Sequence, residues 1–208
     1  MMESGYASSV TGNLFWRGAL HDLIEAPSSE NLIVGGLAAI VDFLKVLPNS
    51  DLIARDFDGR SPLGKAAVQR MEAFGLGLMM RAKEIPGFSR RLMDARDFLG
   101  NTVLGISICY DCSLPFLEAL IDYGAEVNPD ALPSIWTPLQ TASWFGYSAI
   151  VELLLRHGAK KDGGFPGAKS ALDLAQDRGH NDVVQLLGGA SPISPVFHMA
   201  QEILQLHT

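Results

Sequence analysis

Apolar residues recur at helical spacing in the stretch TPLQTASWFGYSAIVELLLRHGA, which covers residues 137–159. Leu139 and Ala142 lie three positions apart, as residues on one face of a helix do. Gly146 then interrupts the pattern, and a glycine readily takes the backbone conformation of a tight turn. A second apolar set follows at helical spacing, formed by Val151, Leu154 and Leu155. The pattern predicts two short helices that are joined by a turn at Gly146.

The same pattern occurs repeatedly along the chain. Moving the stretch 33 residues forward aligns it with SALDLAQDRGHNDVVQLLGGA, and moving it 34 to 35 residues back aligns it with TVLGISICYDCSLPFLEALIDYGA. Residues 56–69 match residues 97–110 at a shift of 41, so the repeat that begins near residue 56 holds about eight extra residues. Repetition at this period is typical of helical-repeat solenoids.

Polar and cyclic residues mark where the predicted elements begin. Thr137 and Ser170 stand directly before a predicted helix, where a hydroxyl can accept a hydrogen bond from a free backbone N–H group. Pro138 suits the first helical position, at which no N–H group is needed. Asp56 and Asp97 are each followed by glycine three residues later, which predicts a turn between repeats.

With these features the chain resembles the ankyrin-repeat family. The resemblance rests on DFDGRSPL at 56–63, DFLGNTVL at 97–104, Thr137-Pro138-Leu139, Gly158-Ala159 and Gly179-His180. The sequence departs from the family pattern at Val103, where proline is expected, and at Asp111, where glycine is expected.

The resemblance implies an all-α fold, an ankyrin-repeat solenoid of about five helix-turn-helix repeats with short turn loops and a degenerate N-terminal cap repeat. We expect the repeats at about 13–52, 53–94, 95–128, 129–162 and 163–190. We expect a flexible N-terminus over residues 1–12, and over residues 191–208 a linker followed by a helix that caps the last repeat. The alternative for this last helix is that it binds a partner or a second copy.

The extra residues of the second predicted repeat are expected within residues 74–93. Its first part, FGLGLMM, is apolar, so Met79 and Met80 are expected in the core. Its second part, KEIPGFSRR, is basic and is expected to form a loop. Long insertions in compact repeat arrays often carry a function.

The composition excludes several classes of protein. The formal net charge of −7 disfavours non-specific nucleic-acid binding, which needs clustered Lys and Arg. No apolar run reaches the length of a membrane span, since Asp42 and Lys45 interrupt the longest one. We see no secretory signal peptide, and the presence of only two cysteines favours a reducing compartment. The expected location is therefore the cytoplasm.

The sequence contains no recognisable catalytic, cofactor or metal motif. Cys109 and Cys112 form a C-x-x-C pair, but neither a redox context nor a second ligand pair accompanies them, so two free thiols are expected. The stretch GGFPGAKS at 163–170 lacks the second glycine of a phosphate-binding loop and is interpreted as the turn into the last repeat. His157 and His180 occupy repeat positions that predict a structural role.

Partners of the resembling family usually contact the concave side, which is formed by the turn tips and the exposed face of each first helix. Carrying these positions over gives the candidate partner-binding residues Phe57, Arg60, Phe98, Asn101, Tyr110, Trp136, Trp144, Phe145 and Arg178. Six of them are large aromatics, and aromatic residues commonly dominate binding energies. The alternative for Phe57 and Phe98 is that they pack between repeats.

The resemblance thus implies a non-catalytic protein-protein interaction module, an adaptor or inhibitor that binds a protein partner through its concave, aromatic-rich surface. The net charge favours a basic partner, so an immunity protein that neutralises a basic toxin is one alternative. A small-molecule-binding protein or an enzyme with an apolar pocket is another. Neither a nucleic acid nor a membrane is expected as a partner, and the expected oligomeric state is a monomer or a weak homodimer.

Overall fold

The structure is a computed structural model that describes residues 36–130, 135–162 and 167–188. These residues contain ten α-helices, one short 3-10 helix (Asp51–Ile53) and no strand beyond an isolated bridge between Arg96 and Thr102. The α-helices are α1 (Gly36–Val46), α2 (Pro62–Val68), α3 (Glu72–Lys83), α4 (Phe88–Met93), α5 (Val103–Cys109), α6 (Leu114–Asp122), α7 (Pro138–Phe145), α8 (Ser148–Arg156), α9 (Ala171–Arg178) and α10 (Asn181–Leu186). The predicted N-terminal tail, residues 13–35 of the first predicted repeat and the predicted C-terminal linker and helix lie outside the described residues.

The helices form two layers. The first helices of successive pairs, α2, α5, α7 and α9, pack against one another, and the second helices α3, α6, α8 and α10 do the same, with α1 packed on α3. Helices of six to twelve residues are marginal on their own, so packing within and between the pairs supplies their stability. The predicted all-α helical-repeat solenoid is confirmed, whereas the residue boundaries of the repeats and tails stay predictions.

Each first helix begins after a hydroxyl side chain that accepts a hydrogen bond from a backbone N–H group of the first turn. These capping residues are Ser61, Thr102, Thr137 and Ser170. At Thr137 and Ser170 the capping is reciprocal, because the side chains of Gln140 and Asp173 accept from the backbone N–H of the cap. The hydrogen bonds from Ser170 also lower the pKa of Asp173. The helix starts predicted at Thr137 and Ser170 are confirmed.

A residue in the left-handed backbone conformation separates the two helices of each pair. Gly146 and Gly179 have φ angles of 76° and 72°, as the break in the apolar pattern predicts. The equivalent positions of the two earlier pairs are occupied by Arg70 and Asp111, whose φ angles are 56° and 54°. The charged groups of these two side chains lie 3.8 Å apart. The departure from glycine at Asp111 therefore leaves the turn in the same conformation as in the other pairs.

Replacing Arg70 by glycine is expected to stabilise the protein. A left-handed conformation costs an L-residue about 1–2 kcal/mol, and glycine removes this cost. Part of the resulting gain in stability is lost, because glycine also raises the conformational entropy of the unfolded chain. The exposed ion pair with Asp111 contributes little. We expect the free energy of unfolding to rise by about 0.5–1 kcal/mol in urea titrations. Arg70→Ala is the control, since it loses the same ion pair but keeps the backbone conformation; equal stability of the two variants would disprove this explanation.

The extra residues after α2 are more helical than the sequence predicts. The expectation of a loop over KEIPGFSRR is wrong, because α3 extends to Lys83 and residues 88–93 form α4. Phe88, Leu92 and Met93 are buried, so α4 is anchored by its own apolar face. Met79 is fully buried as expected, but the expectation for Met80 is wrong, since 40% of its surface is exposed.

The turns between repeats are tied to one another through the backbone. The Asp56 carboxylate accepts a hydrogen bond from the backbone N–H of Asp58 at 3.0 Å, which confirms the turn predicted there. The backbone N–H of Phe98, in the next turn, donates to the carbonyl oxygen of Asp58 at 2.9 Å. Arg96 in turn donates to the carbonyl oxygen of Asp130 at 3.3 Å. These bonds fix the spacing of the turn tips along the solenoid.

Candidate partner-binding surface

Three of the predicted binding residues occupy the same position on successive first helices. Tyr110, Phe145 and Arg178 each lie eight residues after the capping residue of their helix, namely Thr102, Thr137 or Ser170. Because α5, α7 and α9 pack side by side, these three side chains form a row across the solenoid. Tyr110 and Phe145 are 41% and 42% exposed, so the row lies at the surface.

A stack of three side chains includes Arg178, the last residue of this row. The ring centroids of Trp136 and Trp144 are 4.9 Å apart with a tilt of 52°, and the guanidinium carbon of Arg178 lies 3.7 Å from the centroid of the Trp144 ring. Trp136 is 42% exposed and Trp144 is half-buried. We call the row and the stack together the first-helix surface, consisting of Tyr110, Trp136, Trp144, Phe145 and Arg178.

The backbone under Trp144 is held by the following repeat. His180 Nε2 donates a hydrogen bond to the carbonyl oxygen of Trp144 at 3.0 Å, so this histidine carries its proton on Nε2. The contact gives His180 the structural role that its repeat position predicts. It also fixes the helix end from which Trp144 projects.

Phe145 has an aromatic neighbour that the sequence reasoning missed. Its ring stacks on Tyr147, with centroids 5.5 Å apart and an interplanar angle of 17°. Tyr147 directly follows Gly146 in the turn and was not among the predicted binding residues. The spacing of aromatic residues in the sequence WFGY was the available signal.

The aromatic residues of the turn tips lie apart from the stack. Phe57 is fully exposed and Phe98 is 74% exposed, so neither side chain is buried between repeats. Phe98 rests against Gly59 of the preceding turn, where a Cβ atom would stand 2.5 Å from its ring. Leu99 is also largely exposed, so adjacent turn tips present a second apolar area.

Two predicted binding residues make contacts inside their own turns. Arg60 pairs with the Asp58 carboxylate at 2.9 Å, and its side chain is largely buried. The Asn101 side-chain amide donates to both carboxylate oxygens of Asp97, at 3.0 and 3.3 Å. Both residues therefore organise a turn, and their role as partner contacts stays a prediction.

The charges near the first-helix surface are unequally paired. Lys169 and Asp177 form an ion pair with an N–O distance of 2.5 Å, and this hydrogen bond raises the pKa of Lys169. Arg178 has no carboxylate within ion-pairing distance among the described residues. Further exposed carboxylates lie on the second helices: Glu118, Asp122, Glu152 and Asp182.

The depressions of the described surface are small or open. The one beside Trp136 holds about 10 Å³, which is room for about one water molecule. A wider, open cleft of about 440 Å³ lies at the turns between paired helices and is lined by Arg70, Asp111 and Tyr147 among others. Cys112 also lines this cleft. Burial, followed by the nearby Glu72 charge, raises the pKa of the Cys112 thiol to about 11, so the thiol is protonated at neutral pH and is a poor nucleophile.

Cys109 and Cys112 are free thiols, as the sequence predicts. Within the described residues, no group of three or more His, Cys, Asp and Glu side chains is arranged to hold a metal ion. None of the helices in the described part of the chain combines the length and the apolar character that a membrane crossing requires.

Comparison with known protein families identifies a repeat family. A family model described as "Ankyrin repeats (many copies)" matches residues 106–155. The matched segment extends from α5 to α8 and includes Trp136, Trp144 and Phe145. It thus covers the part of the chain that carries most of the first-helix surface.

Proposed function

Because this chain is an ankyrin-repeat protein, and ankyrin repeats generally are protein-protein interaction modules, we propose that it is a non-catalytic adaptor or inhibitor that binds one protein partner through the first-helix surface. The Trp136–Trp144–Arg178 stack is the observation that carries the proposal. Its side chains already hold one another in place, so a partner can bury a large aromatic area at a low cost in side-chain entropy.

Tyr110 and Phe145 extend this area along the first helices, whereas Phe98 belongs to the separate apolar area at the turn tips. A contiguous apolar area of this kind commonly marks an interaction site on a folded protein. The turn-tip residues Phe57 and Phe98 are proposed as peripheral contacts and Trp136 and Trp144 as the central ones.

We further propose that the partner is basic and that the chain acts as a monomer or weak homodimer in the cytoplasm. The net charge of −7 attracts a positively charged protein over distances of about a Debye length, roughly 8 Å at physiological salt. The exposed carboxylates of the second helices supply part of that field. The free thiols of Cys109 and Cys112 fit a reducing compartment.

The test is an affinity pull-down from native lysate, with mass spectrometry, followed by measurement of the dissociation constant of the protein recovered. Trp136→Ala and Trp144→Ala are each expected to weaken binding about 30-fold or more, as hot-spot truncations do. Circular dichroism is expected to show unchanged helicity, since Trp136 is exposed and Trp144 is only half-buried.

Met80→Ala is the matched control, because Met80 is an exposed apolar residue on the second-helix layer and should bind like wild type. Equal affinity of all three variants would place the partner on another surface. Unfolding of the tryptophan variants would instead show that the two rings belong to the core.

A further inference from the structure

We infer that the partner presents a carboxylate to Arg178, next to an apolar side chain that packs on Trp136 and Trp144. The inference rests on the proposed function, since it specifies the chemistry of a segment bound at the first-helix surface. Neither the net charge nor the repeat pattern of the chain predicts that the partner needs this carboxylate.

The guanidinium of Arg178 already rests on an aromatic ring before any partner arrives. Its carbon lies 3.7 Å from the centroid of the Trp144 ring, a distance at which the flat group stacks on the ring face. Stacking occupies the face of a guanidinium and leaves its N–H groups available at the edge. A guanidinium that is already oriented loses less side-chain entropy when it forms paired hydrogen bonds to a carboxylate.

The neighbouring carboxylates are engaged with other groups. Asp177 pairs with Lys169 at 2.5 Å, and Asp173 accepts hydrogen bonds from the backbone and side chain of Ser170 at 2.8 and 2.7 Å. Among the described residues, Arg178 thus carries a positive charge that no carboxylate compensates at ion-pairing distance. A partner group that approaches this place meets a local positive charge on a chain whose net charge is negative.

The surroundings of Arg178 select for an apolar neighbour of that carboxylate. Arg178 lies against the Trp144 ring, which is itself in contact with Trp136, and Phe145 occupies the preceding place in the row of first-helix residues. Covering these rings excludes water, which strengthens a charge-assisted hydrogen bond at their edge. The arrangement therefore fits a protein segment in which Asp or Glu stands close to a large apolar residue.

A carboxylate fits the site better than a phosphate group. Recognition of a phosphorylated segment commonly uses a cluster of arginines, because the group carries nearly two negative charges. The first-helix surface offers one uncompensated cation, and Lys169 nearby is already neutralised by Asp177. A single carboxylate matches a single guanidinium in charge and in its paired hydrogen-bond geometry.

The experiment is a selection from a random dodecapeptide display library on the immobilised full chain. Peptides that bind wild type but not Trp136→Ala are synthesised, each also with its Asp or Glu changed to Asn or Gln. Dissociation constants are then measured for wild type, Arg178→Gln and Arg178→Lys. Arg178 is the exposed last residue of α9, so circular dichroism is expected to confirm that both variants fold.

We expect the peptides to be rich in Asp or Glu beside an apolar residue. Amidation of the acidic residue should weaken binding to wild type about tenfold or more and should leave binding to Arg178→Gln unchanged. Arg178→Lys should bind with intermediate affinity, because it keeps the charge but loses the flat stacked group. Arg178→Glu should reverse the preference toward peptides that contain Lys or Arg.

The outcomes separate this inference from the proposed function. Peptides that require Trp136 but bind wild type and Arg178→Gln equally would overturn the carboxylate requirement and leave the binding surface in place. A selection in which no peptide depends on Trp136 or Trp144 counts against both the surface and the carboxylate.

Discussion

Replacing Phe116 by alanine is expected to lower the free energy of unfolding by about 3–5 kcal/mol. Phe116 on α6 is 1% exposed, and its ring lies directly over Gly75 of α3, where the second helices of neighbouring repeats meet. Removing the ring leaves a cavity at this junction, and the short helices on either side cannot collapse into it without losing their other contacts. Urea unfolding followed by circular dichroism measures the loss.

The same contact predicts that the effect of Gly75→Ala on stability changes sign when the Phe116 ring is removed. A Cβ atom added there would stand 2.7 Å from two ring atoms of Phe116 and 3.3 Å from Leu63, and overpacking of this kind costs about 1–3 kcal/mol. Alanine gains only about 1 kcal/mol over glycine in a helix, so Gly75→Ala should destabilise the wild type. In the Phe116→Ala background the ring is absent, and the same substitution should stabilise the protein.

Gly105→Ala is the matched control for this pair. Gly105 is also in a first turn of a helix, but its added Cβ would meet nothing closer than 3.6 Å, so alanine should be neutral or stabilising by up to about 1 kcal/mol. Additive effects of Gly75→Ala and Phe116→Ala would show that the ring moves away from α3 at no cost, which contradicts the tight packing described above.

Gly146→Ala is expected to cost about 2–5 kcal/mol of stability, considerably more than Gly179→Ala. Both glycines end a first helix in the left-handed conformation, so both substitutions carry a backbone cost of about 1–2 kcal/mol. At Gly146 the new Cβ would also stand 2.5 Å from Nδ1 of His180, whereas at Gly179 it would meet nothing within 4 Å. Overpacking against the imidazole adds about 1–3 kcal/mol.

The difference between the two variants isolates the contact between repeats from the backbone conformation. Both are measured by urea unfolding, and His180→Ala is added to each as a second substitution. The excess cost at Gly146 should disappear without the imidazole, because both substitutions then carry only the cost of the left-handed backbone conformation. Equal losses at Gly146 and Gly179 with His180 present would mean that the ring turns aside freely, despite its hydrogen bond to the Trp144 carbonyl oxygen.

Exposure of a single side chain was predictable in some places and not in others. Phe57 and Phe98 were placed at turn tips by the Asp-x-x-Gly spacing, and the structure exposes both. Met80 was wrongly predicted to be buried. It follows the buried Met79, but neighbouring residues of a helix are both buried only where the helix is covered on both sides. The helix over residues 88–93 was missed because its six residues are too few for a helical period to stand out from a loop.

The sequence by itself determined the helix pairs and their caps. The hydrogen bonds at Thr137 and Ser170 join groups three residues apart, and the turn at Gly146 depends on the conformational freedom of one residue. Interactions between residues so close in sequence can be predicted from a short stretch of the chain. Repetition of that stretch at about 33 residues makes the prediction of helix pairs stronger. The capping glycine even proved replaceable, since Asp111 takes the same backbone conformation.

The tertiary structure alone decided which surface side chains meet. Arg178 stacks on Trp144 across 34 residues of sequence, while the adjacent Asp177 pairs with Lys169. Repeat position places these residues on one face, but the contact each makes depends on rotamers that are set by packing with the next repeat. The aromatic surface was therefore predictable as a set of positions, whereas the oriented and uncompensated charge of Arg178 became visible only when the helices were packed together.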